Sequence, residues 1–283
     1  MNRLVLSLIL FPTIALISCG SKNEPLPEKI DFQTDFAAAR KMAAEENKPM
    51  IIDFYTDWCK WCKVLDTVTY VDPLVIGMSV DNIFVKVDAE ADTALAREYG
   101  IAGYPTVVVA GPDGKEMDRI WGYLPPTDFY NQVQLYLQGK ETLEDYLGRL
   151  EDEPENLDYL SLIAEKFASR SRFDEAIEYY LKIVALDPDN ERDHGADAMA
   201  AIYDTQGRAG DYEGAIATCR KVVEKFPGTS EADDAAAMIG YYTARNGENG
   251  EALKLYREYL EKHPDSENAE WVKRRVADLE DNI

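Results

Sequence analysis

Asp53-Phe54-Tyr55-Thr56-Asp57-Trp58-Cys59-Lys60-Trp61-Cys62-Lys63 is the stretch on which the fold turns. It leaves an apolar, strand-like run, Met50 to Tyr55, and enters a segment predicted to be helical, in which the spacing of Cys59 and Cys62 puts both sulfurs on one face. A thiol at a helix N-terminus is stabilised as thiolate by free backbone N–H groups and the macrodipole, so Cys59 is predicted to be the nucleophile. Lys60 adds a neighbouring positive charge. Cys62, a turn inward and expected to be less accessible, can attack a mixed disulfide formed on Cys59 and so release a partner. Asp53 lies within an apolar strand, where desolvation raises a carboxyl pKa and suits the group to accept a proton from Cys62.

Working outward, helices and strands alternate. Thr34 to Asn47 has helical spacing, Ile83 to Val87 reads as a strand, Asp92 to Tyr99 as a helix and Thr106 to Ala110 as a β-branched strand. Gly111 to Gly114 makes a turn, Glu116 to Trp121 a further strand, and Thr127 to Leu137 a closing helix. Such a pattern argues for an α/β sandwich about one central sheet.

From about Asp31 to Gly139 the sequence resembles the thioredoxin family. Trp58 precedes the first cysteine, Asp53 stands at the family's buried-acid position, and Lys86 matches the lysine that neighbours that acid. Gly103-Tyr104-Pro105-Thr106 matches the cis-proline loop, and Gly122 matches a glycine near the active-site surface. The resemblance implies that the backbone before Pro105 binds a partner chain as an added strand, with Tyr104 facing the cysteines. Asp53 to Pro73, including Asp72-Pro73, is most similar to the C-terminal thioredoxin domain of the DsbD family of envelope electron relays, which implies a reductase. Lys60-Trp61 is neither the Gly-Pro of thioredoxin nor the Pro-His of the oxidase DsbA, so these two residues leave the direction of electron flow open.

Competing roles for the cysteine pair are weaker. Structural zinc needs four ligands, no second cysteine pair exists, and His194 and His263 lie far along the chain, so no metal site is expected. A purely structural disulfide across so short a loop would stabilise little. No cofactor beyond a redox-active Cys59–Cys62 disulfide is expected. Trp58, Trp61 and Tyr104 are candidate partner-binding aromatics; Trp61 and Tyr104 read equally well as packing residues.

After Gly139 the strand signal disappears and an internal period begins. Ile163, Ala176 and Pro188 recur as Ile202, Ala215 and Pro227, then as Ile239, Ala252 and Pro264. The repeat is slightly longer than the 34-residue tetratricopeptide unit, which the region resembles. A small residue lets paired helices approach, and the proline ends the second of each pair. Phe167 keeps an aromatic slot of that family, whereas Gln206 and Thr243 do not. Leu143 to Leu150 is expected to lead the array and Ala269 to Leu279 to cap it. Cys219 occupies the place of Tyr180 and Tyr256 in the other copies, hence a buried, inert thiol. The composition change near Gly139 suggests a repeat unit that folds independently and selects protein partners.

At the N-terminus, Arg3 and an apolar run from Leu4 to Ile17 end in Leu16-Ile17-Ser18-Cys19, which resembles the lipobox of bacterial lipoproteins. The expected organisation is a signal peptide over 1–18, a tether over 19–30 with Cys19 lipidated, a thioredoxin-like α/β domain over 31–140 and an all-α repeat solenoid over 141–283. A net charge of −23 in 283 residues disfavours nucleic acid and anionic lipid headgroups, so attachment to the membrane is assigned to the lipid. These features predict a periplasm-facing, lipid-anchored protein of the bacterial envelope. Its partners would be cysteine-containing envelope proteins, a thiol electron donor, and a protein held by the repeats. The alternative is a chaperone-like or scaffolding protein that binds clients through the repeats.

Overall fold

The computed structural model describes residues 26–281. The expected signal peptide, most of the tether and Cys19 lie outside the described residues.

The first part is a four-stranded sheet with helices on both faces. In chain order it comprises α1 (Phe36–Glu46), β1 (Met50–Tyr55), α2 (Lys60–Val64), α3 (Pro73–Gly77), β2 (Ile83–Asp88), α4 (Thr93–Glu98), β3 (Thr106–Ala110), β4 (Glu116–Trp121) and α5 (Pro126–Leu137). The strand order is β2-β1-β3-β4, with β1 parallel to β2 and antiparallel to β3, and β3 antiparallel to β4. Alternation along β1 sorts its side chains between the two faces. Ile51, with Phe84, Val107 and Val109, packs under Leu65, Tyr70, Phe129 and Val133. Met50, Ile52 and Phe54 turn the other way, toward Ala39 and Ala43 of α1 and Leu95 of α4.

Local chemistry sets the helix ends. Asp35 accepts a hydrogen bond from the N–H of Ala38 and so starts α1 two residues after Thr34, while Asn47 closes it in the left-handed region. Asp72 caps α3 with Pro73 at its first position. Between α2 and α3, Leu65–Thr69 forms a π-helical turn. Neither this turn nor α3 was assigned from periodicity, because the wider turn breaks the helical phase.

The second part is helical: α6 (Leu143–Asp152), α7 (Leu157–Ala168), α8 (Phe173–Leu186), α9 (Gly195–Ala209), α10 (Tyr212–Lys225), α11 (Ser230–Arg245), α12 (Asn249–Lys262) and α13 (Ala269–Glu280). Helices α7 with α8, α9 with α10 and α11 with α12 form successive pairs. Ala176, Ala215 and Ala252 are fully buried in the first turn of each second helix. Pro188, Pro227 and Pro264 lie just beyond the ends of α8, α10 and α12. Where the aromatic slot is lost, polar atoms are satisfied locally: the Thr218 hydroxyl donates to Gln206 Oε1, and the Thr243 hydroxyl to the Ile239 carbonyl. Cys219 is wholly buried, and burial pushes its thiol pKa up to about 12.

The junction between the two parts is built from buried charge. Asp118 of β4 accepts a hydrogen bond from the N–H of Leu143 at 2.7 Å and pairs with Lys166 and Arg170, each at 3.0 Å. The Arg119 guanidinium donates to the carbonyls of Tyr99 and, across the junction, Ser169. Across this junction β4 and the α7 segment satisfy each other's ionised groups.

Candidate active site

The strand-to-helix passage at the end of β1 presents the cysteines. Cys59 is the N-cap of α2, its sulfur accepts a hydrogen bond from the N–H of Cys62 at 3.0 Å, and the two sulfurs are joined in a disulfide of 2.06 Å. The expected difference in accessibility between them is not seen. Cys59 is 4% and Cys62 3% exposed. What separates them is position: Cys59 caps the helix and Cys62 lies inside it.

Exposed aromatics flank this disulfide. Trp58 is 68% and Trp61 54% exposed, which places Trp61 at the surface rather than in the core. The Trp58 indole donates to Glu90 Oε1 at 3.2 Å and meets the Tyr104 ring edge-on at 5.8 Å. Trp61 stacks on Tyr123 at 5.5 Å. The Tyr104–Pro105 peptide is cis, and the Pro105 carbonyl accepts the N–H of Gly122, whose φ of +93° suits glycine. Lys60 is exposed beside Cys59.

Behind the cysteine helix lies Asp53, 1% exposed, with neither carboxyl oxygen receiving a hydrogen bond. The register of β1 and β2 sets it beside Lys86, whose ammonium is 3.5 Å from Asp53 Oδ2 and also pairs with Asp66. Burial raises the Asp53 pKa to about 6, against the opposing pull of Lys86 and with a smaller push from Asp66. Tyr70 is buried nearby with its hydroxyl unpaired; burial, then the Asp53 charge, holds its pKa well above the usual phenol range. At neutral pH this arrangement holds an acid that is largely ionised yet close to titrating, which suits proton exchange with a buried thiol.

The sequence reading missed Asp66, Tyr70, Glu90, Trp121 and Tyr123. Two of them carried a signal: Asp66 falls one turn after Cys62, and Trp121 immediately precedes Gly122.

A helix-capping cysteine pair on a mixed four-stranded sheet, followed by stacked helix pairs, defines a thioredoxin-like domain joined to a repeat domain. Residues 36–136 match the family described as Thioredoxin-like domain, and residues 134–191 and 204–267 match the Tetratricopeptide repeat family. Among named proteins, the first domain is similar to the thiol:disulfide interchange protein DsbD. The likeness is 32% identity over 108 residues of the Haemophilus ducreyi protein, covering 36% of this chain and 18% of that one. The Neisseria meningitidis protein is 35% identical over 109 residues, with the same two shares. The chain thus spans about a fifth of the length of the curated relatives it matches. Among solved structures, the oxidised C-terminal domain of Neisseria meningitidis DsbD is 29% identical, with a TM-score of 0.32, over 39% of this chain and all of that one. A DsbH oxidoreductase is 18% identical, with a TM-score of 0.36, over 40% and 88% of the two chains.

Proposed function

We propose that this chain is a thiol-disulfide oxidoreductase of the bacterial envelope, lipid-anchored through Cys19, that reduces disulfides of periplasm-facing proteins. The observation that carries it is the Cys59–Cys62 disulfide at a helix N-terminus, with the buried Asp53 carboxylate, paired only loosely with Lys86, on the strand that leads into that helix. In the reduced chain, the Cys59 thiolate attacks one sulfur of a partner disulfide, forming a mixed disulfide and expelling one partner thiolate. Cys62 passes its proton to Asp53 and attacks the Cys59 sulfur. That step expels the second partner thiolate and leaves the Cys59–Cys62 disulfide, so two electrons have moved to the partner. A dithiol donor then restores the pair by the same two exchanges in reverse order.

Helix polarity favours this direction of attack, since the cap position stabilises the thiolate that must leave and return. The repeats supply a protein-binding surface beside the redox domain. No separate cofactor is needed for the exchange. The test is turnover of a protein disulfide by the wild-type chain and by the Cys59→Ser and Cys62→Ser variants, with the equilibrium potential of the couple measured against glutathione. Turnover that survives Cys59→Ser would exclude this mechanism. A potential more oxidising than glutathione would reverse the assigned direction.

A further inference from the structure

Trp121 links the redox site to the repeats. It ends β4, remains 52% exposed, and lies over Gly103, where an added Cβ would stand 2.8 Å from the indole Nε1. Gly103 directly precedes Tyr104 and Pro105, and the Tyr104 ring meets Trp58, the residue before Cys59. Trp121 also meets a residue of the repeat domain: the Arg208 guanidinium of α9 stands 4.5 Å from the ring centroid. Arg208 is itself fixed by a hydrogen bond to the Ala168 carbonyl, 2.9 Å away at the end of α7. A cleft of about 250 Å³ opens beside Trp121, walled by Tyr136 of the redox domain and by Tyr146, Leu162 and Glu165 of the helical domain.

We propose that the repeat domain completes the partner site of the redox domain. A polypeptide segment lying along the Tyr104–Pro105 loop runs on past Trp121 toward this cleft, and Arg208 is the positioning residue that holds the indole beside Gly103. Two features support an extended polypeptide as the occupant. The surface runs on from the loop beside the disulfide through Gly103 and Trp121 into the cleft, and the aromatic side chains along it accept side chains of any sequence. Without Arg208 the indole loses a cation over its face and gains rotational freedom, so the site is less preorganised for a chain, while the sulfurs are untouched.

This inference rests on the oxidoreductase reading, so the experiment separates the two. The full chain is titrated with a fluorescein-labelled extended peptide in which serine replaces the reacting cysteine, and binding is read by anisotropy, independently of turnover. The disulfide form of the peptide and the small aromatic disulfide dithiobis-nitrobenzoate are then compared as substrates, with dithiothreitol as donor. Arg208→Ala is expected to weaken peptide binding and raise the peptide KM about fivefold, with kcat within about twofold and the Cys59–Cys62 potential unchanged. Arg208→Lys should recover most of the affinity, and Trp121→Ala should weaken binding further. The proposal is overturned if wild type binds no peptide, if Arg208→Ala and Trp121→Ala bind it as wild type does, or if both substrates lose kcat equally. Inactive wild type that binds the peptide in this Arg208-dependent way would sink the oxidoreductase reading and leave the site standing.

Discussion

Asp118 of β4 and Lys166 of α7 lie 3.0 Å apart, carboxylate to ammonium, with Asp118 wholly buried at the junction of the two domains. Burial pushes the Lys166 pKa down while Asp118 holds it up. A buried ion pair is weak evidence for net stability, but removing one member strands the other. Asp118→Ala should therefore destabilise the full chain by about 3–5 kcal/mol, since Lys166 loses its acid, the Leu143 N–H loses its acceptor and Arg170 keeps only Glu116. Denaturant unfolding of both proteins measures this, and a loss below about 1 kcal/mol would mean that the network is solvated in practice.

Asp53 gives a pH signature of opposite sign to that of a carboxylate whose pKa falls on folding, because desolvation outweighs its pairing with Lys86. Its pKa rises from 3.8 to about 6 on folding, so between those values the native state binds more protons than the unfolded chain. Stability contributed by the protonated acid is present below about pH 4 and is lost as pH rises through about 6. Asp53→Asn should stabilise the protein by about 3 kcal/mol at pH 7, with the advantage vanishing near pH 4. It should also slow release of partners from the mixed disulfide. A variant less stable than wild type at pH 7 would show that Lys86 outweighs desolvation.

The order of attack can be read by trapping. Cys62→Ser removes the resolving thiol and keeps the nucleophile, so mixed disulfides through Cys59 should accumulate, and their masses identify the partners. Cys59→Ser should abolish both turnover and trapping. Cys219 is wholly buried with its thiol pKa raised to about 12, so Cys219→Ser should leave both unchanged. Adducts recovered mainly through Cys219 would contradict this assignment.

Lipidation at Cys19 is tested by expressing Cys19→Ser in a bacterial host. The expected product is an unprocessed precursor without lipid label; normal processing would remove the lipoprotein reading. Among the described residues no helix is long and apolar enough to cross a membrane.

Much of this architecture was legible because it is written locally. The apolar run of β1, the cysteine spacing, the Gly103 to Thr106 loop and the recurring alanine and proline of each helix pair are patterns within a few turns of chain. The Asp66–Lys86–Asp53 group was half legible: Asp53 and Lys86 stood out, while the π-helical turn after α2 obscured which residues share its inner face. The junction was not legible. Glu116, Asp118, Lys166 and Arg170 each look like solvated surface charges in sequence, and only long-range packing turns them into a buried network. Arg208 over Trp121 is hidden for the same reason.

Strand β4 closes one side of the sheet, and a sheet edge is normally an invitation to self-association. Here that edge strand carries Glu116, Asp118 and Arg119, all engaged by the helical segment packed against it. A second sheet approaching β4 would meet this charged, already engaged set of side chains. The helical segment thus ties down the charged side chains of the one strand of this sheet's β3–β4 side that would otherwise be free to meet another sheet.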